Sequence, residues 1–180
     1  MIPVLTTDRL VLRPYREADL DPIGAMMADP AVMRHIGNQT HPREDAWRRM
    51  LCGPGMWLLL GYGYWAVERR SDGALIGQLG FADFKRGMTP SIEGLPELGY
   101  VFAAEAHGQG YGSEGAAAAL RWADEQLTAP EIVAIIDPGN APSIRVAEKS
   151  GFTFREPATY KGEDILLFRR PLLRANAGSR

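Results

Sequence analysis

One cysteine, Cys52, stands in 180 residues, which excludes an intramolecular disulfide framework and suits a reducing compartment. Positive charge is equally short: 20 Lys and Arg against 22 Asp and Glu give a formal charge of −2 and a pI near 5.9. With no basic excess to displace counterions from a phosphate backbone, a nucleic-acid surface is not expected. No apolar run approaches the ~18 residues of a membrane span, and the first five residues lack the basic and apolar regions of a secretion signal. Repeats and low-complexity segments are missing as well. What remains is a chain with 46% apolar residues, long enough for one well-filled core and too short for two comfortable ones. The expectation is a cytoplasmic protein with one domain over residues 1–170 and a C-terminal tail at 171–180, in which 174–180 reads as frayed.

Residues 9–14 alternate Leu10 and Leu12 with Val11 and Arg13, a short strand stopped by Pro14. Residues 17–29 carry Leu20, Ile23, Met26 and Met27 at helical spacing, and 42–51 read as a second helix, both forming a wall over a sheet. A hairpin follows, with strands at 64–68 and 75–81 about a Ser71-Asp72-Gly73 turn, then a loop at 85–94. Residues 97–102 form the next strand, 113–126 a helix whose alanines at 116–119 let it lie close to the sheet, and 132–136 a buried apolar strand. Asn140 opens a helix that stops at Gly151, and 153–158 and 165–169 pair around Gly162. Strands on both sides of a central β-α-β unit imply a mixed α/β sheet.

Between the strand at 97–102 and its helix lies His107-Gly108-Gln109-Gly110-Tyr111-Gly112. Glycines in this position let successive backbone N–H groups converge on an anion, with the helix dipole behind them, so the turn reads as a phosphate cradle more than as a simple tight turn. The string from Gly110 to Gly115 also spells G-x-G-x-x-G, and Asp137 ends the next strand where a dinucleotide fold keeps its ribose acid. That alternative needs the first glycine directly after its strand and several parallel strands downstream. Residues 104–109 and the short remainder after Asp137 supply neither.

The turn is followed, a helix and a strand later, by Asn140-Ala141-Pro142-Ser143 and Lys149-Ser150-Gly151-Phe152. In this joint pattern the chain resembles the GNAT N-acetyltransferase superfamily, and within it the branch of ribosomal-protein N-terminal (RimJ/RimL-type) acetyltransferases. Residues 7–14 and Glu97-Leu98-Gly99-Tyr100 are similar to the same branch, so the likeness spans residues 6–170. His107 departs from the Gln or Arg usual at its position. The resemblance implies a twisted, mostly antiparallel sheet with one splayed parallel strand pair and about four flanking helices. It implies transfer of acetyl from acetyl-CoA to a primary amine by direct attack in a ternary complex, with an α-amino group of a protein or peptide as the leading acceptor. A small-molecule amine (amino acid, polyamine, antibiotic) and a non-catalytic acyl-CoA-binding sensor stay open as alternatives. A homodimer is open too, whereas no membrane, nucleic acid or metal partner is expected.

The same resemblance assigns roles. Backbone amides of Gly108, Gln109, Gly110, Tyr111, Gly112 and Ser113, with His107 ahead of them, would hold the pyrophosphate. Backbone groups of Tyr100, Val101 and Phe102 would pair with the pantetheine arm as an added strand does, one of them polarising the thioester carbonyl. Asn140 reads either as a helix N-cap or as a contact to the cofactor arm. Ser143 matches a residue that meets the thioester sulfur and would protonate the thiolate; the Tyr many members keep seven residues after the Asn is Ala147 here. Glu97 stands where the superfamily often keeps a general base, against the plainer reading of a strand acid paired with an arginine such as Arg13. His35, His41 and Asp45 lack tight ligand spacing and read as surface residues, not as a metal site. Cys52 has no signature of a paired base and reads as a partly buried small residue. Trp57, Tyr62, Tyr64 and Trp65 read mostly as core, with Trp57 and Tyr62 in a glycine-rich loop that would line the acceptor pocket.

Overall fold

The computed structural model describes residues 1–173. Among these residues nine strands form one sheet: β1 Leu5–Thr6, β2 Leu10–Arg13, β3 Tyr64–Arg69, β4 Leu75–Ala82, β5 Met88–Thr89, β6 Glu97–Phe102, β7 Glu131–Ile136, β8 Thr153–Tyr160 and β9 Glu163–Pro171. Five α-helices flank it, one more than expected: α1 Leu20–Ala28, α2 Pro30–Met33, α3 Arg43–Leu60, α4 Tyr111–Gln126 and α5 Ala141–Lys149. The sheet order is β1-β2-β3-β4-β6-β7-β9-β8-β5, antiparallel throughout except for the parallel pair β6/β7. The fold is therefore the mixed α/β arrangement anticipated.

One layer packs α4 and α5 on the sheet. Leu10, Leu12, Trp65, Ile76, Leu79 and Phe81 meet Ala116, Ala119, Leu120 and Ala123 there, all within 3% of full burial. Small side chains on α4 bring the helix down onto the strands. At Gly115 an added Cβ would already lie 3.2 Å from Leu79 Cδ1. The other face carries α1, α2 and α3, whose Ile23, Met26, Met27, Val32, Met33 and Met50 pack toward Leu75, Val101 and Ala103.

Three local expectations change. Helix α3 continues from the expected end at 51 to Leu60, through Gly53, Pro54 and Gly55. Tertiary packing outweighs those breakers: Tyr15 lies directly against Gly53, and Trp57 anchors the last turns, its Nε1–H donating to the Tyr64 carbonyl at 3.1 Å. Its ring sits 4.8 Å from Trp65 and 5.2 Å from Trp122. Trp57 thus belongs to a helix and the core, not to a loop over the acceptor, and Tyr62 packs against the same cluster. The expected loop at 85–94 contains β5, paired with Tyr160 and Thr159 of β8. The final hairpin closes on Lys161-Gly162, both at positive φ (53° and 82°), the two-residue turn that lets β8 and β9 run longer than their hydrophobic pattern suggests.

Strand β9 reaches Pro171, and the Leu173 N–H donates to Asp124 Oδ1 at 2.9 Å. The rest of the expected tail, 174–180, lies outside the described residues. No described helix is long and apolar enough to cross a membrane.

Candidate active site

The parallel strands β6 and β7 meet at one register pair, Glu97 with Val133, closed by the Val133 N–H donating to the Pro96 carbonyl at 3.0 Å. Beyond it β6 follows β4 and β7 follows β9, so the two diverge. In an antiparallel ladder every second residue bonds to a given neighbour. Ala103 N–H donates to Ile76 O at 2.9 Å, which fixes Val101 and Gly99 as the residues bonded to β4. Leu98, Tyr100 and Phe102 consequently turn their N–H and C=O groups away from β4; the Leu98 N–H is taken up in the pair with Val133, and Tyr100 and Phe102 face the opening. Of the three strand residues singled out by sequence, Tyr100 and Phe102 face the gap with their backbones, whereas Val101 faces β4 and packs its side chain toward α1–α3.

At the wide end of the gap the chain turns through His107 into α4. Gly108 and Gly110 hold φ of +73° and +80°, a region other residues enter only with strain. Gly110 is the N-cap of α4 and supplies no side-chain cap. The first-turn N–H groups of Tyr111, Gly112 and Ser113 therefore have no intrahelical acceptor, the first α4 bond here running from Glu114 N–H to Gly110 O at 3.1 Å. His107 Nε2 donates to the Phe102 carbonyl at 2.9 Å and ties the turn back to β6.

A brace that sequence reasoning missed holds this turn from β2. Arg9 Nη1 donates to the Gln109 carbonyl at 2.9 Å, its Nε to Glu114 Oε2 at 2.6 Å, and its guanidinium lies 4.6 Å over the Tyr111 ring. Glu114 Oε1 also accepts from Arg9 N–H at 2.9 Å and from the Thr7 hydroxyl at 2.6 Å. Burial would raise the Glu114 carboxyl, but the bonds from Thr7 and Arg9 outweigh it and hold the group below its usual range. The signal in sequence was Thr7-Asp8-Arg9 itself, to which spacing alone attached no role.

The far wall is β7 and the turn into α5. Asn140 Oδ1 accepts from Ser143 N–H at 3.2 Å, so Asn140 is a helix N-cap. Ser143 sits half-buried in the first turn. Across the opening, the Tyr100 hydroxyl comes against it: burial pushes the Tyr100 phenol up, and a hydrogen bond with the Ser143 side chain partly offsets the shift. Tyr100 was expected to act through its backbone alone. Ala147 is buried in the core under α5.

Glu97, at the narrow end, is 5% exposed and bidentate with Arg86, at 2.7 Å and 2.9 Å. Arg86 in turn lies 4.6 Å from the Phe84 ring and 4.9 Å from the Tyr160 ring. The expected partner Arg13 is engaged elsewhere, bidentate to Asp19 at 2.8 Å and bonded to Glu68 at 2.7 Å. Tyr64 approaches the same strand at Gly99, and burial together with the Glu97 charge pushes its phenol far up.

Of the remaining candidates, His35 is the one brought to the gap. It follows α2, and its Nδ1 lies 2.9 Å from Asp137 Oδ2 at the end of β7. No local pattern announces a partner 102 positions away. His41 and Asp45 do not join it: Asp45 accepts from Arg48 at 2.9 Å, and burial and Arg49 lower the His41 ring. Cys52 is exposed on α3, not partly buried.

The model of the acetyltransferase (GNAT) domain family matches residues 9–153. Bacillus subtilis YkkB is 31% identical over 171 residues, covering 92% of this chain and 94% of the relative. The crystal structure of an acetyltransferase from Agrobacterium tumefaciens superposes with a TM-score of 0.80 at 31% identity, covering 94% of each chain. The ribosomal L7/L12 α-N-protein acetyltransferase RimL, solved with coenzyme A, shares the fold at a TM-score of 0.77 and 17% identity, over 94% of this chain and 98% of that one. With the splayed pair, the glycine turn and the Asn140 cap in place, the chain belongs to the GNAT acetyltransferase family.

Proposed function

We propose that this N-acetyltransferase moves the acetyl group of acetyl-CoA to the α-amino group of a protein or peptide, by direct attack in a ternary complex. The observation that supports acetyl-CoA is the fit of the gap to a long, anionic thiol ester. An uncapped helix N-terminus and two left-handed glycines stand at its wide end, where backbone N–H groups of residues 108–113 would take the pyrophosphate. The outward N–H and C=O of Tyr100 and the N–H of Phe102 would carry the pantetheine arm along β6, the Phe102 carbonyl being held by His107.

The chain's own residues then divide the work. The Tyr100 N–H, facing the gap, is placed to polarise the thioester carbonyl. Ser143, with the Tyr100 hydroxyl beside it, would deliver a proton to the departing sulfur, directly or through water. Tyr100 stays protonated because burial disfavours its phenolate.

Glu97 supports the α-amino assignment. With both oxygens on Arg86, it is an anchor for that wall and a poor general base. An α-amino group, pKa near 7.8, is ~10% neutral at pH 7, whereas a lysine amine is under ~0.1% neutral. A site without a strong carboxylate base suits the first. Mass spectrometry of acetyl transfer to a library of peptide N-termini and to a pool of small amines tests this. Acetylated peptides are expected; acetylation confined to small amines would replace the peptide assignment by a metabolic one, and cofactor binding without transfer to either would favour the sensor.

A further inference from the structure

The gap between β6 and β7 is bridged on both faces of the sheet. Side chains of Leu98, Tyr100 and Phe102 on β6 and of Ile132, Ala134 and Ile136 on β7 lie on the face covered by α4 and α5. On that face Tyr100 meets Ser143. The opposite face holds Val101 from β6 and, by alternation from Val133, the side chain of Asp137. There α2 packs Val32 and Met33 into the cluster that includes Val101 and Ala103, on the β6 wall. Two residues later His35 reaches Asp137 on the β7 wall at 2.9 Å. With Glu97 opposite Val133 in a parallel pair, Asp137 stands level with Val101, so the His35–Asp137 bridge spans the opening itself.

Asp137 is built to orient the ring. Its Oδ1 accepts from Gly139 N–H at 2.7 Å and its carbonyl from Asn140 N–H at 2.8 Å, while Oδ2 remains for His35. The charged groups at the pair are Asp137 itself and Arg34. His35, the Gly139 amide and Arg34 keep Asp137 below its usual carboxylate range, so it is an acceptor and Nδ1 carries the hydrogen. With Nδ1 committed to Asp137, Nε2 is the ring atom left to exchange a proton, and among the described residues it has no hydrogen-bond partner. The His35 side chain is 26% exposed, in contrast to the buried Glu97.

We propose that His35, oriented by Asp137, accepts the proton that the attacking amine gives up. The assignment rests on the acetyl-transfer reading above. The nitrogen lone pair forms the C–N bond, the C–S bond breaks with its pair to sulfur, one amine proton passes to His35 Nε2, and sulfur takes a proton from the Ser143 side of the gap. Donor and acceptor thus sit on opposite faces of the sheet, with the reacting carbon between them. Asp137 is a positioning residue in this scheme.

The test uses the full chain with acetyl-CoA and an acceptor the wild type acetylates. His35→Ala is expected to lower kcat by ~100-fold or more, to leave acetyl-CoA affinity within about twofold, and to recover activity with added imidazole. Asp137→Asn turns an amide N–H toward Nδ1, reverses the tautomer, and is expected to lower kcat at every pH with acetyl-CoA affinity kept. A His35→Ala enzyme within threefold of wild type, or one whose loss lies in KM and does not respond to imidazole, overturns the proposal and leaves acetyl transfer standing. A wild type that acetylates no amine removes the transfer reading and this assignment with it.

Discussion

Ser143 and Glu97 both carry roles implied by the family resemblance, and their surroundings separate them. Ser143 has its hydroxyl against that of Tyr100 across the gap, its backbone already served by Asn140. Replacing it by Ala is predicted to lower kcat by ~10- to 100-fold with acetyl-CoA affinity unchanged, since only the proton to sulfur is lost; calorimetry alongside steady-state kinetics checks it. Glu97→Gln is predicted to leave the shape of the pH–rate profile intact while lowering stability by ~3 kcal/mol, because Arg86 loses its charged partner within a buried wall. A pH profile whose shape changes in that variant would restore Glu97 as a base.

At the scale of elements, the cradle is a turn held in shape by a neighbouring strand. Arg9 fastens β2 to the Gln109 carbonyl and to Glu114 on α4. Arg9→Ala is predicted to weaken acetyl-CoA binding by ~5- to 30-fold, about 1–2 kcal/mol, with less effect on kcat, measured by titration calorimetry. The elements themselves were legible where a period was strong: the alanine face of α4, the apolar β7 and the hairpin β3/β4 lie where their patterns put them. They were illegible where contacts distant in sequence decide. Helix α3 survives Gly53-Pro54-Gly55 because Trp57 packs between Trp65 and Trp122. The brace of Arg9 on Glu114 and the pairing of His35 with Asp137 join residues about a hundred positions apart, and no local spacing encodes either.

Across the molecule, five carboxyls among the described residues are held below their usual range, the exposed Asp72 by Arg69 and four others within the fold, and they make acid its weak side. Burial works against ionisation at Asp83, Glu114 and Asp124, and hydrogen bonds from Lys85, from Thr7 and Arg9, and from Arg170 outweigh it; at Asp137 the bond to His35 leads. A carboxyl whose folded pKa is depressed contributes stability above its unfolded value, near 4, and loses it as pH falls through the folded value. The melting temperature is therefore predicted to slip slightly between pH 7 and about 5, where the His41 ring, held below its usual range in the fold, protonates more readily in the unfolded chain, and to drop steadily below about 4, read by calorimetry. Asp124→Asn, which frees Arg170 at the end of β9, should lower it at neutral pH by ~5–10 °C and flatten that acid drop.

Direct attack in a ternary complex is the claim on which the site's two walls depend. The measurement that tests it is the steady-state rate with acetyl-CoA and acceptor varied together, for the wild type and for Cys52→Ala, which removes the exposed thiol on α3. Intersecting double-reciprocal lines in both enzymes are predicted. Parallel lines in the wild type, lost with activity in Cys52→Ala, would mean that the acetyl group rests on the protein before it reaches the amine, and would contradict this account.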